Sequence, residues 1–506
     1  MAATSKKIVL WFPMPIDEWD HRFELPMSIM AIAAPLELKG YQTVLVDERL
    51  TDDPYETLVR ECAGAMCLGI SSMTGFQLVG AVKAAKMIKE KYPELPVIWG
   101  GYHASLRPEE TVQSPFVDLV VRGQGEITFE EVIHRLEEGR DFAGVQGVVY
   151  IAGGKVVTEE ERPVEDINIF PAMPYHLVDV NKLIRHNMTR FKETFKAIEY
   201  HSSQGCPHRC AYCADAKIYK RKWRGLDAER VVSEIGHLQK EYGVNQINFT
   251  DANFFVNETR VEKICQGFLD NNIKLKWVAS TRADHFVRYK PETLELAKKA
   301  GCLRIIIGAE SGNQAVLDMV DKDADVTATL ESARICARLG IKVSYDFIIG
   351  FPHAPGEELD DTTDTMELIR QIKEVHPNVM TKVFYYTPFP GTPLYHQSVE
   401  YGLTEPHSLE EWSVFNPVNM KTIWISDKQK DRARMINGFY VALAYPTVGL
   451  KKMGEKNALR RPFFKIISAS ARKRVEGNFY ILPIGWWGFK LFKRLTKFPR
   501  YLNEIS

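Results

Sequence analysis

The fold is decided by a short cysteine-rich stretch in the middle of the chain. It reads Gly205-Cys206-Pro207-His208-Arg209-Cys210-Ala211-Tyr212-Cys213. An apolar run over residues 197–201 comes directly before it, so the stretch is expected to be a loop at the carboxyl end of a strand. Three thiolates at the spacing C-x-x-x-C-x-x-C can each ligate one iron of a four-iron cubane and leave the fourth iron open.

A zinc site is the alternative interpretation of the same loop. His208 lies between the first two cysteines and could supply the fourth ligand that a closed tetrahedral site requires. A second, paired C-x-x-C knuckle, typical of such sites, does not occur in the sequence. The other five cysteines are scattered on apolar elements and are expected to be core residues. They are Cys62, Cys67, Cys265, Cys302 and Cys336.

A strand–helix alternation surrounds the cysteine loop from about residue 195 to residue 393. Six strands are predicted, over residues 197–201, 246–250, 276–280, 304–308, 344–349 and 381–386. Strands that alternate with helices form a parallel sheet, because each crossover packs back onto that sheet. Six such units predict a partial (β/α)6 barrel, with the cysteine loop directly after its first strand.

The N-terminal part of the chain carries a similar alternation up to about residue 135. Strands are predicted over residues 8–12, 43–47, 65–71 and 97–100, and helices over residues 26–39 and 77–91. This order favours an α/β fold with a doubly wound, Rossmann-like parallel sheet. A hairpin that turns at Gly153-Gly154 is expected over residues 145–157. Residues 163–192, which contain three prolines, are expected to be a linker.

Small and polar residues lie where this N-terminal sheet is expected to bind ligands, at the carboxyl ends of its strands. The segments read Ser71-Ser72-Met73-Thr74-Gly75, Gly100-Gly101-Tyr102-His103 and Arg122-Gly123-Gln124-Gly125-Glu126. Glycine lets a backbone approach a bulky ligand closely, because it has no side chain. The three segments are therefore candidate ligand-binding loops.

The composition bounds the class of protein. The chain has 506 residues, of which 45% are hydrophobic, and it carries 65 basic and 65 acidic residues. The length allows two or three domains, and the neutral balance argues against a nucleic-acid-binding protein. We find no secretory signal and no run of about 18 apolar residues, so a cytoplasmic location is expected. The predicted divisions are residues 1–145, a hairpin and linker over 146–192, a barrel over 193–400 and a helical region over 401–506.

The segment from residue 451 to residue 506 is basic and aromatic. It contains 14 Lys and Arg residues against 3 Asp and Glu residues. The interleaved aromatic residues are Phe463, Phe464, Phe479, Tyr480, Trp486, Trp487, Phe489 and Phe492. Such a pattern can lie on an anionic membrane surface. Two interpretations remain open: a peripheral membrane contact, and a capping helix whose basic face is solvated.

The cysteine loop and the ends of the later strands together resemble the radical S-adenosylmethionine superfamily. The matching segments are Cys206–Cys213, Phe249–Phe255, Ser280–Arg282, Gly308–Gly312, Ile349–Pro352 and Pro388–Pro393. The resemblance implies that Cys206, Cys210 and Cys213 hold a 4Fe-4S cluster whose open iron chelates S-adenosylmethionine. It also implies further cofactor-binding residues. These are Tyr212, Asp251, Asn253, Arg282, Glu310 and Ser311.

The N-terminal domain resembles the cobalamin-binding domain that precedes this barrel in one large subfamily. The resemblance lies in Gly100–Ala104, Pro108–Glu110, Val117-Asp118 and Gly123–Glu126. The cobalamin-binding residues that it implies are Ser72, Thr74, Gly75, Gly100, Gly101, His103, Gly123, Gly125 and Glu126. The cobalt-ligating motif Asp-x-His-x-x-Gly is absent, and the loop after the first strand offers His21 in its place. The lower face of cobalt is therefore expected to be unligated or water-bound, and a flavodoxin-like sheet without cofactor is the alternative.

The subfamily resemblance also implies a reaction. In its members cobalamin usually relays a methyl group from S-adenosylmethionine to an unreactive carbon, from which hydrogen has been abstracted. We therefore expect a C-methyltransferase that acts on a small or lipophilic substrate and takes electrons from a donor such as flavodoxin or ferredoxin. Members with the same architecture also catalyse oxidative cyclisation or rearrangement without methyl transfer, and the motifs do not separate these reactions. A non-catalytic iron–sulfur binding protein is the alternative from another class.

Overall fold

The computed structural model describes residues 6–14, 22–191, 193–357, 359, 361–415, 423–446, 450–451, 454–455, 460–481 and 483–496. The chain divides into two compact units. The first unit comprises Met1–Ala252, Gly267–Leu275 and Thr387–Met420. The second unit comprises Asn253–Gln266, Lys276–Tyr386 and Lys421–Ser506.

The first unit begins with a seven-stranded sheet. Its strands are β1 Lys7–Phe12, β2 Gln42–Asp47, β3 Cys67–Ser71, β4 Val97–Gly100, β5 Leu119–Val121, β6 Val148–Ala152 and β7 Lys155–Thr158. The order is β2-β1-β3-β4-β5-β6-β7, in which the first five strands are parallel and the last two pair antiparallel. The doubly wound sheet and the hairpin are confirmed, whereas the three-residue strand β5 was not predicted.

Six helices accompany this sheet. They are α1 Met27–Leu38, α2 Pro54–Cys62, α3 Phe76–Lys91, α4 Gly101–Leu106, α5 Pro108–Val112 and α6 Glu126–Glu138. The short apolar run Ile8–Trp11 of β1 is fully buried, as expected for a parallel strand that is covered on both faces. Helices α1 and α6 contribute Ile29, Ala33 and Phe129 to the same core cluster.

The segment expected to be a linker contains regular structure. It forms two short 3-10 turns, Ile167–Ile169 and Tyr175–Leu177, and the helix α7 Val180–Arg190. The Asp179 carboxylate caps this helix by accepting from the backbone N–H of Lys182. The prolines that suggested a linker therefore precede a helix of eleven residues.

The first unit continues with the first strands of the second alternation. They are β8 Ala197–Tyr200, β9 Ser203–Gln204, β10 Arg224–Gly225 and β11 Gln246–Phe249, with helices α8 Ala214–Ile218 and α9 Ala228–Tyr242. β8 and β11 pair in parallel, and the short strands β9 and β10 pair antiparallel on either side of the cysteine loop.

The second unit carries the remaining strands of the alternation. They are β12 Lys276–Thr281, β13 Cys302–Glu310, β14 Lys342–Ile349 and β15 Met380–Tyr385, which pair in parallel in chain order. The helices along this stretch are α10 Glu258–Asp270, α11 Ala283–Arg288, α12 Pro291–Lys299, α13 Gln314–Met319, α14 Val326–Leu339 and α15 Thr362–Val375, with a 3-10 turn at Phe254–Val256. All six predicted strands of this alternation are present, with bounds that shift by two residues at most.

After β15 the chain returns to the first unit. The returning segment forms α16 Pro393–Glu400 and α17 Leu409–Trp412. Glu405 accepts from Arg107 at 2.9 Å and from the Tyr395 hydroxyl at 2.7 Å, and the Trp412 indole donates to Glu110 at 2.6 Å. The segment is thus fastened to α5 and to the turn that precedes it.

The C-terminal part of the second unit is helical, as predicted. It forms α18 Asp427–Met435, a π-helical stretch Ile436–Val441, α19 Ala442–Ala444, α20 Arg460–Glu476 and α21 Ile484–Thr496. Within the described ranges, no helix is both long enough and apolar enough to span a bilayer.

Candidate cofactor sites

The three predicted cluster ligands lie in the loop between β9 and α8. Cys210 is buried, while Cys206 and Cys213 are half-buried. The loop starts at Gly205, whose φ of +74° is in the left-handed region. A Cβ at this position would collide with the carbonyl oxygen of Lys222. Only glycine therefore fits immediately before the first cysteine.

Cys213 directly precedes α8, and Tyr212 beside it is half-buried. Burial, followed by the Asp215 carboxylate, raises the pKa of the Cys213 thiol to about 12. A thiol that binds iron loses this proton, so metal binding at the loop is coupled to proton release. No three His, Cys, Asp or Glu side chains in the described part of the chain are grouped as ligands of one ion. A cubane cluster does not require ligands grouped around one ion, because each thiolate binds a separate iron.

Asp251, two residues after β11, is a fully engaged acceptor. Its carboxylate accepts from the Ser202 backbone N–H at 2.7 Å, from the Ser202 hydroxyl at 2.5 Å and from the Ser203 hydroxyl at 2.8 Å. All three residues are buried. Both serines lie between β8 and the cysteine loop, so Asp251 fixes the segment from which that loop begins. Its contact with S-adenosylmethionine stays a prediction.

Glu310 forms a buried ion pair in the second unit. The Lys322 ammonium donates to Glu310 Oε1 at 2.6 Å, and each side chain is only 8% exposed. Glu310 has a φ of +60°, which is uncommon for a residue with a side chain. Arg282 donates to the backbone carbonyl of Lys322 and, at 3.0 Å, to that of Asp323. Two predicted cofactor-binding residues, Arg282 and Glu310, therefore meet at Lys322.

The other predicted residues of the second unit are also hydrogen-bonded. Asn253 Oδ1 accepts from the Thr281 hydroxyl at 3.2 Å, and Asn253 Nδ2 lies 3.4 Å from the Nδ1 atom of His285. Ser311 is fully buried, and its hydroxyl accepts from the backbone N–H of Asn313 at 3.1 Å. The carboxyl ends of β12 and β13 thus present an ordered polar surface, on which Arg282 is paired with Asp284 at 2.9 Å and Lys322 with Glu310 at 2.6 Å.

The strand ends of the N-terminal sheet bring Ser72, Thr74, Gly101 and His103 together. His103 is fully buried, and its Nδ1 atom lies 3.0 Å from the Thr74 hydroxyl. Burial, followed by the charge of Arg107, lowers the pKa of His103 to about 3, so its imidazole is neutral at pH 7. Gly101 has a φ of +87°, and a Cβ there would lie 2.7 Å from the carbonyl oxygen of Ser72.

Two buried polar atoms in this group lack a hydrogen-bond partner among the residues that the structure describes. They are the Ser72 hydroxyl oxygen and the His103 Nε2 atom. A buried polar group without a partner costs about 1–3 kcal/mol, so such atoms point to a missing ligand group. Cobalamin carries amide side chains and a nucleotide tail that offer hydrogen-bond donors and acceptors. The residues present therefore fit a cobalamin tail.

The predicted glycines of these loops differ in their surroundings. Gly75 is buried with a φ of +99°, and Gly100 is extended at the start of α4. Gly123 is exposed with a φ of +75°, and no atom lies within 4 Å of an added Cβ. An added Cβ at Gly125 would make an ordinary contact of 3.5 Å with Ile32. The positive φ angles favour glycine at both Gly75 and Gly123. At Gly123 the surroundings would leave room for a side chain.

Two hydrogen-bonded links join the N-terminal loops to the cysteine loop within the first unit. Gln204 accepts from Gln124 at 2.8 Å and donates to the buried carboxylate of Glu126 at 2.9 Å. The Tyr102 hydroxyl donates to the carboxylate of Asp215. Glu126 therefore faces the cysteine-loop side of the unit, where it is already bonded.

The sequence analysis missed several of these residues. Three of them, Lys322, Gln204 and Asp215, lie outside the recognised motifs. Tyr102 lies inside the motif Gly100–Ala104, but it was given no role there. Asp346 on β14 was also missed: one of its carboxylate oxygens is buried without a partner among the described residues, and burial raises its pKa. The signal that could have indicated it is an acidic residue inside the largely apolar predicted strand over residues 344–349.

The remaining cysteine and histidine expectations have different outcomes. All five cysteines outside the loop are free and buried, which confirms them as core residues. His21, named as a replacement cobalt ligand, lies outside the described residues.

Comparisons with known proteins match two family models to the chain. The model of the radical SAM superfamily matches residues 200–366, and the model of the B12 binding domain matches residues 23–133. An uncharacterized methyltransferase of Pyrococcus horikoshii is 28% identical over 353 residues, which cover 69% of this chain and 73% of the relative. The anaerobic magnesium-protoporphyrin IX monomethyl ester cyclase of Rubrivivax gelatinosus is 25% identical. The alignment covers 92% of this chain and 82% of the cyclase.

A solved structure shows the same fold. It is the radical S-adenosylmethionine methyltransferase TsrM from Kitasatospora setae with cobalamin and a [4Fe-4S] cluster bound. The TM-score is 0.66 at 16% identity, and the alignment covers 93% of this chain and all of the other. Because the radical SAM match contains all three cysteines of the loop, the protein is a radical S-adenosylmethionine enzyme. It belongs to the branch of that superfamily that carries a cobalamin-binding domain, and its cofactors are a 4Fe-4S cluster, S-adenosylmethionine and cobalamin.

Proposed function

We propose that the enzyme transfers a methyl group to an unactivated carbon of a small or lipophilic substrate. The observation that carries this proposal is the pair of links within the first unit, Tyr102 to Asp215 and Gln124 to Gln204. They hold the cobalamin-binding strand ends beside the loop of cluster ligands, as a relay between the two cofactors requires. The methyltransferases among its relatives support the same reaction.

The residue roles follow from the contacts. Cys206, Cys210 and Cys213 would ligate the cluster, which when bound supplies the electron for reductive cleavage of S-adenosylmethionine. Asp251 orients the loop that carries them, through its three bonds to Ser202 and Ser203.

The second unit and the N-terminal sheet supply the remaining roles. Glu310, held by Lys322, and Arg282 would position S-adenosylmethionine. Ser72 and His103 would bond the cobalamin tail with the two atoms that lack partners in the described chain.

An oxidative cyclisation is the second candidate reaction. The cyclase of Rubrivivax gelatinosus covers more of this chain than the Pyrococcus methyltransferase does, at lower identity. In a cyclisation the product loses hydrogen or gains oxygen, whereas methyl transfer adds one methylene unit to the substrate.

The mass of the product separates these reactions. The protein is purified without oxygen, reconstituted with iron, sulfide and cobalamin, and incubated with cell extract, a reductant and S-adenosylmethionine deuterated at the methyl group. A product that carries the deuterated methyl supports the proposal, and an oxidised, unlabelled product contradicts it. The variant with all three loop cysteines changed to alanine serves as the control. A holoprotein that forms no 5′-deoxyadenosine would favour the non-catalytic alternative.

The proposed partners follow from the same chemistry. A flavodoxin or a ferredoxin is the proposed electron donor, because reductive cleavage needs one electron from a low-potential source. The cytoplasm is the proposed location, with contact to a membrane surface through residues 451–506.

A further inference from the structure

The helices α20 and α21 and the segment between them carry many exposed apolar side chains, which we call the C-terminal face. Eighteen large hydrophobic side chains are exposed among the described residues, and seven of them lie between residues 463 and 491. They are Phe463, Ile466, Phe479, Ile481, Ile484, Trp487 and Leu491. Single exposed apolar residues are ordinary, whereas a concentration of them marks an interaction surface.

Helix α21 is divided lengthwise into an exposed and a packed side. The exposed residues recur at intervals of three and four. They are Ile484, Trp487 and Leu491. On the other side Trp486 is buried, and the rings of Trp486 and Phe489 lie 5.8 and 5.2 Å from the ring of Phe439. The Trp486 indole and the Lys490 ammonium both bond Asp431. The apolar exposed side is therefore not needed to hold the helix on the second unit.

Helix α20 repeats this division. Ala471 and Val475 are buried, while Ile466 and Phe463, about one and a half and about two turns before Ala471, are exposed. Next to them lies an open groove of about 460 Å³. Its lining residues are Ala469, Ser470, Lys473, Arg474 and Phe479. Apolar side chains thus stand beside basic groups that can bond phosphate oxygens.

We propose that the C-terminal face binds the surface of an anionic phospholipid bilayer. Trp487, Leu491 and Phe463 would enter the boundary between headgroups and acyl chains, and Lys473 with Arg474 would bond lipid phosphates. The charge of the segment matches this occupant, since residues 451–506 contain 14 basic against 3 acidic residues. The same excess argues against a second copy of this chain, because two basic faces repel each other across a symmetric interface.

Vesicle flotation of the full chain tests the proposal. The probes are vesicles of phosphatidylcholine alone and vesicles with roughly one third phosphatidylglycerol, at low and at high salt. Each basic group near an anionic surface contributes about 1 kcal/mol, so we expect at least about a tenfold preference for the anionic vesicles. High salt should remove this preference, because screening shortens the range of the attraction.

Two double variants and their matched controls locate the surface. Trp487→Ser with Leu491→Ser should reduce binding to anionic vesicles about tenfold or more, since both apolar side chains leave the interface. Leu38→Ser with Ile151→Ser, which changes two exposed apolar residues of the first unit, should leave binding unchanged.

Charge reversals form the second pair. Lys465→Glu with Lys473→Glu, which changes two exposed lysines of α20, should abolish the preference for anionic vesicles. Lys263→Glu with Lys299→Glu, two exposed lysines of α10 and α12, should retain it.

Three results would overturn the proposal. One is equal recovery of the wild-type chain with both kinds of vesicle. Another is unchanged binding of the Trp487 and Leu491 variant. The third is a dimer, seen by light scattering, that becomes monomeric in that variant, because it would assign the face to a second copy. These outcomes are independent of methyl transfer, since flotation requires no turnover.

Discussion

The two sets of predicted cofactor-binding residues hold their buried polar groups in opposite ways. At Ser72 and His103, in the first unit, two polar atoms are buried without partners in the described chain. At Glu310 and Lys322, in the second unit, both charges are buried and already paired. The Ser72 and His103 atoms remain available for hydrogen bonds with a ligand. The Glu310 carboxylate, by contrast, is already neutralised by a lysine of the protein. The comparison teaches that a predicted site residue acts either as a contact or as a support.

The largest effect is expected at the cysteine loop. Changing Cys206, Cys210 and Cys213 together to alanine should remove iron and reduce 5′-deoxyadenosine formation to the background rate, because no thiolate remains to ligate the cluster. Cobalamin binding should persist, since its residues belong to other loops. Iron analysis and cobalamin absorbance measure both. The control is Cys265→Ala, which changes a buried core cysteine. This variant should retain the iron of the cluster.

The second effect tests the paired arrangement. Glu310→Gln leaves the Lys322 ammonium buried without its counter-charge, so the free energy of unfolding should fall by about 3–5 kcal/mol. Urea unfolding provides the measurement. Glu331→Gln removes an exposed pair with Arg334 at 3.0 Å and should cost less than about 1 kcal/mol. Equal losses in the two variants would show that burial does not distinguish the pairs.

A glycine pair sharpens the description of the first arrangement. Gly101→Ala should lower the free energy of unfolding by about 2–5 kcal/mol, because left-handed strain adds to a clash with the Ser72 backbone. Gly123→Ala has the strain alone, since its surroundings are open, and should cost about 1–2 kcal/mol. Thermal or urea unfolding of both variants compares them, and a larger loss at Gly123 would contradict this account.

His103 predicts a pH dependence with a definite sign. Its folded-state pKa of about 3 lies below the unfolded value of 6.5, so the unfolded chain binds the proton first. Above pH 6.5 this histidine does not reduce the free energy of unfolding. As the pH decreases from 6.5 toward 3, it lowers the free energy of unfolding by about 1.4 kcal/mol per pH unit. Urea unfolding between pH 7 and pH 5 should show this slope in the wild type relative to His103→Asn. If the free energy of unfolding changes with pH equally in the wild type and the variant, the predicted contribution of His103 is wrong.

The smallest effect on stability is expected at Ser71, the last residue of β3, and at Ser72, which follows it. Ser72→Ala removes a hydroxyl that has no partner in the described chain, so stability should change by less than about 1 kcal/mol while cobalamin binds more weakly. Ser71→Ala removes a 2.9 Å bond to Ser28 and should cost about 1 kcal/mol, with cobalamin affinity retained. Unfolding and equilibrium dialysis separate the two serines, and unchanged cobalamin affinity in Ser72→Ala would remove Ser72 from the site.

The sequence was informative wherever the signal is local. Apolar runs located the strands within two residues, because burial of a short strand leaves a continuous trace in the chain. The strand Leu119–Val121 was missed because three residues are too few for a period. Helix α7 was missed because the prolines before it are equally typical of linkers.

The contacts within the candidate sites were beyond this kind of reasoning. Tyr102 and Asp215 are 113 positions apart, and no periodicity relates them. Tertiary packing likewise determines which serines donate to Asp251 and which lysine pairs with Glu310. Sequence motifs therefore named most residues of the sites, but not which of them already have partners.

The return of the chain to the first unit has a consequence during synthesis. Leu394, in the returning segment, donates its backbone N–H to the carbonyl of Ala211 between the cluster cysteines. At about 5–20 residues per second, the ribosome makes Leu394 roughly 10–40 s after Cys213. During that interval the hydrogen bond from Leu394 is missing, so the cysteine loop gains it only after the strands β11 to β15 have been synthesised.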